Sequence, residues 1–379
     1  MMTNRVKTLF SLNTVERYIA KVVFSSFAAL ALIILGLDLL FSFLSELDDL
    51  RNKYQMLDAF IFMLLTTPRR LYEYLPLLAM IGALVGIGRL ANNSELVILR
   101  AAGMSTYRIV FSVMKAAFIL MLFGFLLGQM VVPATEEYAQ RTKAEKMTDG
   151  NAQIVGKDRG FWHKESNEFV HFALVEPSGR LHGITRYQFN DQNELQSMEY
   201  SKRAEYSDNQ WHLYETTRTQ FVVTDADQSE NQFESNKKTQ VDVIAEQQWD
   251  VSLQPALLSI IVLKPDYLAM TDLYSLSNYL EIQGLDSSAF KLSFWRKAYQ
   301  PLAIGALVLI GISFVFGPLR SVAMGTRLFY GIITGLVFKY LQDFMGPAAS
   351  VFGIEAWLAA LIPIALCTLV GFIMIRRAG

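Results

Sequence analysis

A long polar stretch, Ala134 to about Lys264, divides this chain and constrains everything else about it. Long apolar runs, broken by short charged loops, lie on either side. A helix needs ~20 apolar residues to cross the ~30 Å hydrocarbon core of a bilayer. No run inside the stretch reaches that length. It alternates instead, as in Phe169-Val170-His171-Phe172-Ala173-Leu174-Val175, which is the pattern of half-buried strands. Glu176-Pro177-Ser178-Gly179 and Asn190-Asp191-Gln192-Asn193 supply turn residues between them. The reading is an all-β domain inserted into an α-helical membrane protein. With 52% of residues hydrophobic and 18% charged, the composition agrees. A net charge of −1 argues against nucleic acid as a partner. The one cysteine, Cys367, leaves no intrachain disulfide and no cysteine metal cluster.

The apolar runs resolve into six expected spans, three before the domain and three after it. They are Val22–Phe43, a core of Tyr74–Gly88, Ile109–Val132, Tyr299–Phe316, Leu328–Met345 and Trp357–Ile375. The first follows basic residues (Arg5, Lys7, Arg17, Lys21), is too long for a cleaved signal and lacks a small-residue cleavage site, so it is expected to be retained. The layout is helices 1–3 in residues 1–133, a β-domain at 134–264, a helical connector at 265–298 and helices 4–6 in 299–379. Before the second span, Leu57–Leu65 is apolar but short, and Thr67-Pro68 resembles a helix start. One reading is a short interfacial or re-entrant helix, the other a single long tilted helix. The first is expected, because Arg69, Arg70 and Glu73 would be costly in hydrocarbon.

Lysine and arginine in short loops set orientation. The N-terminus, the loop with Arg89, Arg100 and Arg108, the loop with Arg320 and Arg327, and the Arg376-Arg377 end form the basic set. The loop with Glu46, Asp48, Asp49, Arg51 and Lys53 and the turn near Asp343 and Glu355 are less so. Both termini are therefore expected in the cytoplasm and the β-domain outside. The pairs Gly82/Gly86, Gly124/Gly128 and Gly331/Gly335 have the four-residue spacing that lets helix backbones approach. That spacing indicates packing, not function.

Enzyme signatures are missing from the sequence. There is no His-Glu-x-x-His, no phosphate-binding Gly-x-x-x-x-Gly-Lys-Ser/Thr loop and no Gly-x-Ser-x-Gly elbow. His163, His171, His182 and His212 lack metal-ligand spacing and read as solvated strand residues. Charges inside spans are more informative, since each costs ~2.5–3.5 kcal/mol at mid-bilayer on insertion scales. Asp38 lies in span 1; Lys339 and Asp343 lie in span 5. Either Lys339 and Asp343 pair locally and Asp38 bonds to a neighbour, or spans 1 and 5 line a common polar-lipped cavity. Between spans 2 and 3, Ser94 can cap a short helix from Glu95 that stops at Gly103. It is apolar on most faces, so it is either an interfacial turn or a helix that buries into a groove on this protein or a partner.

That run, Ser94-Glu95-Leu96-Val97 to Ala102-Gly103, resembles the coupling helix of the lipopolysaccharide-export permeases, the LptF/LptG family. Phe316-Gly317-Pro318-Leu319-Arg320-Ser321-Val322-x-Met324-Gly325 and Gly160-Phe161-Trp162 carry the same resemblance, the former pointing to the LptG branch. The resemblance spans essentially the whole chain and implies a permease subunit of an ABC transporter in the inner membrane of Gram-negative bacteria. That subunit would extract lipopolysaccharide and pass it through a periplasmic β-jellyroll-like domain towards the outer membrane. The implied partners are an LptF-like sister permease, an LptB-like ATPase dimer, an LptC-like bitopic protein and an LptA-like periplasmic bridge. ATP and magnesium would bind the ATPase, with no cofactor on this chain.

On that mapping Ser94, Glu95, Leu96, Leu99, Arg100, Gly103 and Met104 carry ATPase coupling, with Glu95 central. Spans 1 and 5 line the lipid cavity, which places Leu35, Asp38, Ser42, Lys339 and Asp343 on its walls. One departure stands out. The family carries lysines around the outer end of span 1, where this chain has Ser42, Asp48 and Asp49. Contacts to lipid phosphates are then expected from Arg51, Lys53, Arg69, Arg70, Arg141 or Lys143, the right chemistry for phosphate. The competing class is a non-transporting envelope scaffold whose β-domain bridges partners. Edge strands of that domain are expected to pair with a neighbour's strands.

Overall fold

The computed structural model describes residues 14–50, 54–147, 161–165, 167–175, 180–192, 194–207, 210–223, 237–251, 264–282, 286–317 and 322–378. The expected phosphate ligands Arg51 and Lys53, the turn Glu176-Pro177-Ser178-Gly179 and the run Pro318 to Ser321 lie outside them.

Helix α1, Thr14–Leu47, covers the first expected span. The second is one continuous helix, α2, Met56–Asn92, of 37 residues. It begins where the backbone N–H of Gln55 donates to the Asp58 carboxylate at 3.0 Å. The re-entrant reading of Leu57–Leu65 is therefore wrong, and the reason is electrostatic. Arg69 pairs with Glu73 and Glu136 at 2.6 and 2.7 Å, and Arg70 with Asp38 at 2.6 Å, so the charges are compensated. Pro68 sits inside the helix, and the hydroxyls of Thr66 and Thr67 in the turn before it donate back to the Met63 carbonyl.

A seven-residue helix, α3 (Glu95–Ala101), leads to α4, Thr106–Leu126. This helix runs on through a π turn, Leu127–Val131, into α5, Val132–Met147. The third span therefore carries straight into the polar stretch, past Ala134, and the first strand among the described residues begins at Phe161. After the sheet come a 3-10 turn (Pro265–Tyr267), α6 (Met270–Ile282), α7 (Ser288–Phe316), α8 (Met324–Phe352) and α9 (Ala356–Ala378).

Five helices among the described residues are long and apolar enough to cross a membrane: α1, α2, α4 with its extension, α7 and α9. The sixth expected crossing forms α8, whose 29 residues span about 43 Å at ~1.5 Å each. Lys339, Gln342 and Asp343 interrupt its apolar character. At the start of α7, a chain of ring contacts of 5.3–6.1 Å joins Tyr274, Phe294, Trp295 and Tyr299. Such rings gather where helices meet the membrane–water boundary.

The core lies between α2 and α7. Residues Leu78 to Leu84 of α2 and Ala303 to Leu307 of α7 are almost wholly buried, packed on α4 and α9. A Cβ at Gly311 would stand 2.6 Å from the Met80 carbonyl oxygen, so only glycine permits this approach. Gly82 and Gly86 face the α1 backbone at Phe27 and Val23, as their spacing predicts.

The β-domain is one six-stranded antiparallel sheet in the order of the chain: β1 Phe161–Glu165, β2 Glu168–Val175, β3 Leu181–Phe189, β4 Leu195–Ser207, β5 Gln210–Val223 and β6 Lys237–Trp249. The strand expected at Phe169–Val175 is β2. In the β3–β4 turn, Asn190 Oδ1 accepts from the N–H groups of Gln192 and Glu194, the local bonding that makes asparagine a turn residue. Val170, Phe172, Ile184, Ala204, Trp211, Leu213 and Trp249 fill the apolar core of the sheet. A ladder of charges crosses the strands, Glu168–Arg186–Glu199–Arg218, with Arg186 and Glu199 buried. Every member is paired, which is the condition for burying such groups.

Candidate functional site

Two clusters hold the residues singled out from the sequence. The first surrounds α3. Ser94 occupies the cap position but in the left-handed region (φ 61°), and its side chain makes no capping bond. The expected serine cap does not form. Glu95 is bound sideways, by Tyr18 Oη of α1 at 2.8 Å and by Asn93 Nδ2 at 3.3 Å. Gly103 ends the helix at φ +90°, as expected, and the Met104 N–H returns to the Leu99 carbonyl. Leu96 is buried, and Leu99 and Met104 pack on the bundle core. These three therefore seat the helix on its own protein. Val97 and Ile98, each 65% exposed, form its open apolar face together with exposed Arg100. The sequence reading missed that pair, although Leu96 and Leu99 at i,i+3 already define the opposite, inward face.

Nearby, Lys115 of α4 binds Glu16 of α1 at 2.9 Å and lies over the Phe111 ring. The N-terminal end of α1 is thereby tied both to α3 and to α4.

The second cluster lies at the opposite end of the bundle. Asp38 accepts from Arg70 at 2.6 Å and from the Tyr74 hydroxyl at 2.8 Å. Lys143 of α5 binds Glu46 and Asp49 and sits over the Phe62 ring at 4.6 Å. Lys146 pairs with Asp58. Arg69, Arg70 and Lys143, expected to meet phosphate, are thus each committed to carboxylates of this chain. Burial and the Glu46 hydrogen bond push the Tyr54 hydroxyl far above the ordinary tyrosine range. Arg141 is exposed; Leu35 and Ser42 are half-buried on α1.

Lys339 and Asp343 do not form the local pair the sequence allows; no ion pair among the described residues joins them, and both are exposed. They line a cavity of about 490 Å³ between α2, α7 and α8, together with Arg69, Glu73, Arg296 and Lys297. Asp38 is not part of it.

Lys297 was not anticipated. It is a buried lysine at the head of α7. His163 was read as solvated, yet it is fully buried. It lies 3.4 Å from Glu165 and 3.3 Å from the Tyr279 hydroxyl, and burial holds its pKa below the usual histidine value. No group of three or more His, Cys, Asp or Glu suited to a metal occurs among the described residues.

Residues 17–377 match the family model described as lipopolysaccharide export system permease LptF/LptG. The chain is 32% identical over 355 residues to the lipopolysaccharide export system permease protein LptG of Haemophilus influenzae, covering 93% of this chain and 95% of that protein. It is also 32% identical over 365 residues to LptG of Escherichia coli K12, covering 96% and 98% respectively.

Proposed function

Because this chain belongs to the lipopolysaccharide export system permease family LptF/LptG, we propose that it is the LptG-type permease subunit of a lipopolysaccharide exporter. It is a transporter subunit and not itself an enzyme; ATP hydrolysis falls to a separate ATPase of the LptB kind, where ATP and magnesium bind. An LptF-like sister permease completes the membrane unit, and LptC-like and LptA-like proteins receive the lipid. Both termini face the cytoplasm and the β-domain the periplasm, as the basic residues Arg89, Arg100, Arg108, Arg376 and Arg377 at one end of the bundle favour.

The observation that carries this reading is the geometry of α3. It is a short helix outside the spans, its apolar pair Val97–Ile98 is open, and its carboxylate Glu95 is bonded to α1. An apolar helix face presented to the cytoplasm fits a groove on a partner. Closure of the ATPase dimer would displace α3, and the Tyr18–Glu95 bond would carry that displacement into α1. Movement of α1 and α8 then narrows the lipid's space and drives it towards the β-domain. Because Arg69, Arg70 and Lys143 are occupied by carboxylates, Lys339 at the cavity rim is the cation placed to meet lipid phosphate first.

Co-purification with the ATPase tests the assignment. Glu95→Arg and, separately, Val97→Ser with Ile98→Ser should lose the ATPase while the permease still accumulates in the membrane. Full retention of ATPase and transport in both would overturn it.

A further inference from the structure

The β-domain interrupts the bundle; on its outward crossing the chain passes the π turn after α4 and then α5, and on its return crossing it passes the 3-10 turn before α6. Both crossings converge on one side chain. Lys297, only 6% exposed, donates from Nζ to the Leu268 carbonyl on the return crossing at 2.6 Å. It reaches the Gly128 carbonyl on the outward crossing at 3.4 Å. Its ammonium also lies over the Tyr72 ring of α2 at 5.7 Å. A buried ammonium without such acceptors would be strongly unfavourable.

Neighbouring bonds join the same parts. Gln129 Oε1, in the π turn, accepts from the Met270 N–H at the start of α6 at 3.0 Å. Asp266 accepts from the Ser293 hydroxyl of α7 at 2.8 Å. A Cβ at Gly128 would stand 2.3 Å from the Tyr72 ring, so the outward crossing is pressed directly onto α2. From α6 the contacts continue into the sheet. Tyr279 stacks parallel to His163 of β1 (interplanar angle 1°), with Oη 3.3 Å from Nδ1.

We infer that Lys297 is the positioning residue of the β-domain, joining both crossings to the α2–α7 core and, through α6 and the Tyr279–His163 contact, setting the angle of the sheet on the bundle. The sheet then turns with the most buried helices and keeps a fixed direction relative to them. The inference does not depend on what the protein transports.

Spin-label distances on the full chain in lipid nanodiscs test it. Labels go on Lys202→Cys of β4 and Tyr107→Cys of α4, both exposed, in a Cys367→Ser background. The parent should give one narrow distance distribution. Lys297→Met, which keeps an unbranched chain but removes the ammonium, should at least double its width at temperatures well below unfolding. Gln129→Leu, which leaves the buried cation in place, should broaden it less and in the same sense. A lysine that only stabilised the bundle would lower the melting temperature and leave the width unchanged, and that result overturns the inference. Should Lys297→Met fail to accumulate, Gln129→Leu decides, and an unchanged distribution there overturns it equally.

Discussion

Helices α1 and α2 lie side by side, yet they are held by different physics. In the most apolar window of α2, 72% of residues are buried within the chain, against 6% for α1. Leu32, Leu40, Phe41 and Leu44 of α1 face outwards, at 59–76% exposure. Apart from Ile19 and Val23, which enter the core at its N-terminal end, α1 is held by a series of polar bonds along its length: Glu16 to Lys115, Tyr18 to Glu95, Asp38 to Arg70 and Tyr74, and Glu46 to Lys143. Close backbone contact at Gly82 and Gly86 adds to these near its first half. Packing is non-directional and tolerates little change of volume, whereas polar bonds are few and can be exchanged one at a time. A core built the first way stays put. A helix attached the second way can move without unmaking the core, which suits a part that transmits displacement.

The comparison is tested first where the largest effect lies, in the core. Gly311→Leu would place side-chain atoms against the Met80 backbone, and overpacking of this kind costs ~1–3 kcal/mol, with backbone contact at the upper end. Thermal melting in detergent should fall by several degrees. A full-stability variant would mean that α2 and α7 are not tightly packed.

Next comes the bond at Asp38. Arg70→Met leaves a partly buried carboxylate without its cation and should cost ~1–3 kcal/mol. Adding Asp38→Leu should restore most of that loss, because the orphaned charge is gone and α1 needs no packing there. If the double variant is less stable than the single one, α1 depends on this bond more than the contrast allows.

A smaller effect is expected at Tyr18→Phe. One hydrogen bond contributes ~0.5–1.5 kcal/mol, less where solvent competes as it does here. Melting should hardly change, while ATP hydrolysed per lipid released by the reconstituted exporter should rise. An unchanged ratio would remove Tyr18–Glu95 from the transmission path.

The smallest effect concerns the sheet, and it is a pH dependence. The pKa of His163 is depressed by burial, so the folded state holds the ring neutral while the unfolded chain protonates it below ~6.5. The unfolded state therefore binds more protons, and this contribution to stability falls as pH drops through that value. The sheet should melt at lower temperature at pH 5.5 than at pH 7.5, and His163→Phe should flatten the difference.

Much of this was legible in the residues. Apolar length marked the crossings, alternation marked β2, and Gly103 marked the end of α3. Legibility failed where a residue's meaning depends on a distant partner. Arg69, Arg70 and Glu73 looked too costly for a continuous α2, but Arg69 pairs with Glu73 and with distant Glu136, and Arg70 with distant Asp38. His163 looked solvated because alternation does not reveal that α6 covers it. Lys297 carries no local signal, because its partners, the Gly128 and Leu268 carbonyls, lie 169 and 29 residues away in the chain.

By itself the sequence determined what local physics sets: which segments can lie in lipid, where strands replace helices, and the absence of the His-Glu-x-x-His, phosphate-loop and Gly-x-Ser-x-Gly motifs. Those properties follow from length, period and residue type within a few turns. Only the tertiary structure decided which charges cancel, which face of α3 remains open and where the β-domain is fastened. A charge in a span is unfavourable or neutral according to its partner. The partners here lie 32 residues apart for Asp38 and Arg70, and 169 apart for Lys297 and Gly128.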